Sequence, residues 1–145
     1  MIPQHLAEKL ELIIEYVRDH GRVALDVIDP EGEEPDYTYS IGFPVSVAQP
    51  EALVFALPQD MRQQVIHGLW HMMSDDGLVL EDGLRIGGLL EGFDCIAREV
   101  TDREVIETYL TAAVGYHDSQ HGKSVDRFFQ IVWPDIDNGL FPWDD

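Results

Sequence analysis

The stretch PEALVFALPQDMRQQVIHGLWHMM, residues 50–73, changes its hydrophobic period part-way along. EALVFAL is a short apolar run with no polar face, which reads as a strand buried on both sides. After Pro58 the apolar residues Met61, Val65, Leu69 and Met72 recur at helical spacing. The segment therefore predicts a buried strand running directly into a helix opened by Pro58 or capped by Asp60.

Residues 3–19 predict an amphipathic helix, with Leu6, Leu10, Ile13, Ile14 and Val17 on one stripe, Pro3 in the first turn and Gly21 at the stop. Residues 22–28 and 37–43 alternate and are rich in β-branched or aromatic side chains. They read as a hairpin whose loop, Asp29 to Asp36, is acidic, turn-rich and mobile. Residues 78–92 carry glycines and charges and read as short strands and turns, and FDCIAREV as a strand. TDRE sets a capping box, Thr101 to Glu104, before a helix with Val105, Ile106, Tyr109, Leu110 and Ala113 on one face. YHDSQHGK is expected to break that helix, and DRFFQIVW is the last strand. The order predicts a single α+β domain over residues 1–145. It has a mainly antiparallel sheet and about three helices, with a barrel-like closure as one arrangement open to it.

Charge narrows function. The chain has 28 acidic and 9 basic residues, a formal net charge of −19. Such a field repels nucleic acid and anionic lipid and attracts basic partners. The N-terminus lacks the basic region and apolar core of a signal peptide, and no run is long enough to span a membrane. With one cysteine, Cys95, no intrachain disulfide forms, and a cytoplasmic location is expected.

Several pieces in order carry a resemblance. They are YSIG at Tyr39 to Gly42, Pro50-Glu51 before an apolar strand, Leu57-Pro58 before a helix and LLEGF at Leu89 to Phe93. QIVWPD and GLFPW follow, across Gln130 to Trp143. The chain resembles the bacterial domain-of-unknown-function family 4262 over nearly its whole length. That resemblance implies a small single-domain bacterial protein of no settled function. The chain starts without the Cys/His-containing leader of many members, so no leader-dependent role is expected of it.

Candidate sites are few. His67–His71 and His117–His121 each have i, i+4 spacing suited to one metal ion. No glutamate stands in an HExxH frame, however, and His67 and His71 share a polar face with Asp60 and Gln64, so no metal is expected. DIDNGL from Asp135 starts like a calcium loop but loses the frame. Cys95 lies in an apolar strand pattern and is expected to be buried and inert. Arg85 and Arg98 are candidates to clamp a carboxylate or phosphate, against surface pairing with the abundant acids. The SIG turn with PEALVFALP loosely suggests a flavin-binding split barrel, but a flavin phosphate needs more donors than this chain offers, so no cofactor is expected. The aromatic tail is expected to fold back on the sheet after a turn at Gly139, with Trp133, Phe141 and Trp143 buried and Pro134 and Pro142 stiffening it.

Two functions fit these residues. One is a non-enzymatic, immunity-like module that binds and regulates a basic protein. The other is a ligand-binding protein or enzyme with a pocket between sheet and tail, lined by Tyr39, Trp133 and Trp143. DNA mimicry would need acids spaced like phosphates along one surface.

Overall fold

The structure is a computed structural model that describes residues 4–29 and 31–134. Helix α1 spans Gln4–His20, strands β1 and β2 span Val23–Val27 and Tyr37–Ile41, and a single turn, α2, spans Phe43–Ser46. Strand β3, Glu51–Phe55, runs into α3, Gln59–Asp75. Then come β4, Arg85–Leu90; β5, Phe93–Val100; α4, Arg103–Tyr109; α5, Thr111–His121; and β6, Phe128–Val132.

The six strands form one open sheet in the order β1-β2-β3-β6-β5-β4. Among the described strands only β3 and β6 pair parallel; the other pairings are antiparallel. The fold is α+β, as expected, and the sheet does not close into a barrel. The last strand lies in the middle of the sheet. Its FFQIV run fits that place, because Phe128 and Phe129 point to opposite faces and both are buried.

Alternation along β3 assigns the layers. Ala52 and Val54 face α3 and pack with Val65, Ile66, Leu69, Cys95, Phe129 and Ile131. Leu53 faces the other way, into a cluster with Ile13 and Val17 of α1, Tyr39 and Ile41 of β2, and Ile106, Leu110 and Ala113 of α4 and α5. The sheet is thus sandwiched between α3 and a layer made by α1, α4 and α5. Each fully buried aliphatic or aromatic side chain contributes about 1.5–3 kcal/mol.

Five helices stand among the described residues where about three were expected, and the extra ones have physical causes. The helix expected to run from Thr101 through Ala113 divides at Leu110, which leaves the helical region at ψ 37°. The Tyr39 hydroxyl accepts a hydrogen bond from Ala112 N at 3.1 Å, and the Thr111 hydroxyl donates back to Glu107 O at 3.0 Å. Both compete with the helical ladder at that point. The α4 cap is Asp102, whose Oδ1 accepts from Glu104 N and Val105 N, and not Thr101. The YHDSQH segment, expected as a break, lies inside α5, and the stop comes one residue later at Gly122, in the left-handed region at φ 61°.

The acidic loop is more organised than its composition suggested. Asp29 accepts hydrogen bonds from Glu31 N, Glu33 N and Glu34 N, each at 3.0 Å, while the three glutamates are exposed. Expectations for Pro3, Pro30, the Leu6 side chain, the Asp135 loop, Gly139, Phe141, Pro142 and Trp143 lie outside the described residues.

Candidate functional site

The SIG turn and the Pro50-Glu51 pair meet in space. Gly42 leaves β2 with φ 115°, and a Cβ there would stand 2.8 Å from Gly21 O, so the turn requires glycine. That conformation aims two successive backbone N–H groups at the first side chain of β3. Glu51 Oε2 accepts from Gly42 N at 2.8 Å, and Oε1 accepts from Phe43 N at 3.0 Å and from the Ser40 hydroxyl at 2.8 Å. Ser40 Oγ in turn accepts from Ala52 N at 2.8 Å, which directs its own proton to Glu51.

The fourth partner of Glu51 comes from α5. His117 Nε2 lies 2.8 Å from Oε2, with side-chain exposures of 5% for His117 and 0% for Glu51. Four donors converge on the carboxylate, so Nε2 carries the imidazole proton in this network. Among the described residues the other ring nitrogen, Nδ1, has no hydrogen-bond partner, and no buried polar side-chain atom there lacks one. Nδ1 therefore keeps some access to solvent, and His117 lines a cavity of about 330 Å³ together with Pro44, Gln49, Lys123, Ser124, Asp126 and Arg127. A histidine oriented by a buried carboxylate, with its second nitrogen accessible, can accept a proton or hydrogen bond from a bound molecule.

A second cavity, of about 590 Å³, lies between α1, β1–β2 and α4–α5. Its walls include Ile13, Leu25, Val27, Tyr37, Tyr39 and Tyr109. Tyr37 donates to Tyr109 O at 2.9 Å, and the Tyr37 and Tyr109 rings meet edge-on at 5.5 Å. The Tyr39 hydroxyl accepts from Ala112 N, which leaves its O–H to donate. Burial pushes the Tyr39 phenol well above the usual tyrosine range.

The remaining candidate residues divide between these places and the surface. Tyr39 lines the larger cavity, but Trp133 packs with the α3-side cluster, half-buried, donating from Nε1 to Phe55 O at 3.1 Å. The two residues therefore belong to opposite sides of the sheet. Arg85 and Arg98 are exposed and lie 3.9 Å from Asp94 and 3.4 Å from Asp82. His67, read as part of a solvated face, is half-buried: Arg22 Nε donates to its Nδ1 at 3.2 Å, and Nε2 faces Gln63 Oε1 at 3.1 Å. Both nitrogens are engaged, and Arg22 stacks on Trp70 at 4.3 Å. His71 stays exposed beside Asp75. His117 turns inward to Glu51 while His121 is exposed, with their ring centres 6.2 Å apart. Cys95 is buried, and burial pushes its thiol up to about 11.

Composition and spacing did not single out Glu51. Its available signal was a carboxylate opening an otherwise apolar buried strand, which calls for a partner.

Together these features define an open α/β/α-layered α+β protein with a carboxylate-clamped turn and no helix, among the described residues, long and apolar enough to cross a membrane. The chain belongs to the domain of unknown function family DUF4262, which it matches over residues 16–145. No curated protein and no solved structure matches it significantly.

Proposed function

We propose that the protein binds a small, largely apolar molecule bearing one hydrogen-bond acceptor, in the cavity above Tyr39. The supporting observation is the cavity itself, about 590 Å³ and walled by aliphatic and tyrosine side chains, with Lys9, Thr108 and Asp118 among its polar lining residues. Its volume lies in the range of about 300–1,000 Å³ used by small-molecule sites. Tyr39 O–H is the donor for the ligand's acceptor, and the apolar walls supply the affinity. The pocket of this reading lies under the helices and does not involve Trp133. Gly115 tests it, because it lines the cavity and a Cβ there meets nothing within 4 Å. Gly115→Phe fills the space without a backbone clash. The wild-type protein should enhance the fluorescence of the apolar dye anilinonaphthalene sulfonate saturably, and the folded variant should not. Equal enhancement by both would remove the cavity from consideration.

The net charge of −19 favours a second reading, an immunity-like module that binds a basic protein partner. Such capture would weaken steeply with salt. The lone, buried Cys95 fits a reducing compartment, which supports a bacterial cytoplasmic setting for either role.

A further inference from the structure

The His117 cavity is chemically unlike the tyrosine pocket. Only two lysines occur in the chain, Lys9 and Lys123, and Lys123 lines this cavity. The end of α5 puts it there: Gly122 N bonds to Asp118 O at 3.0 Å and Lys123 N to His117 O at 3.2 Å, a closure that folds Lys123 back over the last turn. The Lys123 side chain forms no ion pair among the described residues, whereas Arg127 is committed to Glu99 at 2.7 Å. The groups around the His117 ring are Glu51 on Nε2, Tyr116 at 5.0 Å and His121 at 6.2 Å between ring centres, and Lys123, Asp126 and Arg127 around the cavity.

A ligand entering here meets a cation and a histidine among the lining groups. With one proton held on Nε2 by Glu51, Nδ1 of the neutral form of the ring is an acceptor and repels a bare anionic oxygen. We propose that this cavity binds a small oxyanion that keeps a hydroxyl proton of its own, such as hydrogen phosphate or a hydroxycarboxylate. Lys123 holds the anionic oxygens, and His117 Nδ1 receives the O–H. The arrangement selects by proton content: sulfate matches phosphate in shape but has no proton to give, and acetate matches glycolate without the hydroxyl. Rejecting a ligand that cannot satisfy a buried polar group is the stronger form of selectivity.

The test is to follow the His117 ring resonances by NMR at about pH 8, where an ordinary imidazole is neutral. Hydrogen phosphate, sulfate, glycolate and acetate are added separately. Hydrogen phosphate or glycolate should shift the ring saturably, and whichever does so identifies the ligand class. Sulfate and acetate should bind about tenfold more weakly or worse, and Lys123→Gln, at an exposed position, should weaken the response severalfold without changing Tm. The proposal is overturned if neither proton-bearing anion shifts the ring at tens of millimolar, if sulfate shifts it equally, or if Lys123→Gln leaves the response intact. Gly115 lines the tyrosine pocket and not this cavity, so the two sites succeed or fail separately.

Discussion

Replacing Glu51 by glutamine would set an amide NH₂ among four groups that all donate: Ser40 Oγ, Gly42 N, Phe43 N and His117 Nε2. At least one donor would then face another donor in a place water does not reach. Breaking a buried charged pair from one side costs about 3–5 kcal/mol. Glu51→Gln should lower the urea midpoint accordingly, at unchanged m-value; a loss under about 1 kcal/mol would mean that the cluster relaxes or hydrates. The letters of this clamp were visible as YSIG and Pro50-Glu51. Its closing member was not, because His117 lies 66 residues away and looked like half of a metal pair. Spacing along a chain reports neighbours on one helix face, and a contact across the fold leaves no such trace.

At the scale of elements, periodicity was informative where one face is apolar, as in α1, α3 and the β1–β2 hairpin, and misleading where side chains rewire the backbone. The break between α4 and α5 depends on the Tyr39 hydroxyl taking Ala112 N, and Tyr39 belongs to a distant strand. The acidic loop shows the opposite case, with order produced locally by one residue. Asp29 gathers three backbone N–H groups, and these bonds hold its carboxyl below the usual range. Asp29→Ala should speed hydrogen exchange at the Glu31, Glu33 and Glu34 amides. Changing those three glutamates to glutamine should leave exchange and Tm nearly unchanged, or raise Tm slightly by relieving repulsion. Equal effects from the two variants would mean that the loop is organised by its net charge and not by Asp29.

For the whole molecule, pH is the sharper probe. Burial, then the charges of Arg22 and His71, lower the His67 pKa, so the unfolded chain takes up a proton at this site before the folded one does. Its contribution is present above the ordinary histidine pKa of about 6.5 and is lost as pH falls through the folded value. Stability should therefore fall as pH drops below about 6.5, and His67→Gln should flatten that slope in thermal melts. An unchanged slope would place the proton elsewhere. Asp26 acts lower on the scale: burial raises its pKa, but hydrogen bonds from Thr38, Gln59 and Gln63 and the Arg62 charge outweigh it, so its share is lost only as pH falls below about 4. The amino-acid sequence by itself determined the α+β class, the hairpin, the strand-to-helix step at Pro58, the burial of Cys95 and the family. Each follows from local period, turn chemistry or short-range motif, which act over a few residues. Tertiary structure alone decided that the last strand sits at the centre of the sheet, that Tyr39 and Trp133 pack on opposite faces, and that Glu51 meets His117. These depend on which surfaces are buried together when the layers close. That choice is made by packing over long loops, where many sequence-compatible pairings differ by only a few kcal/mol.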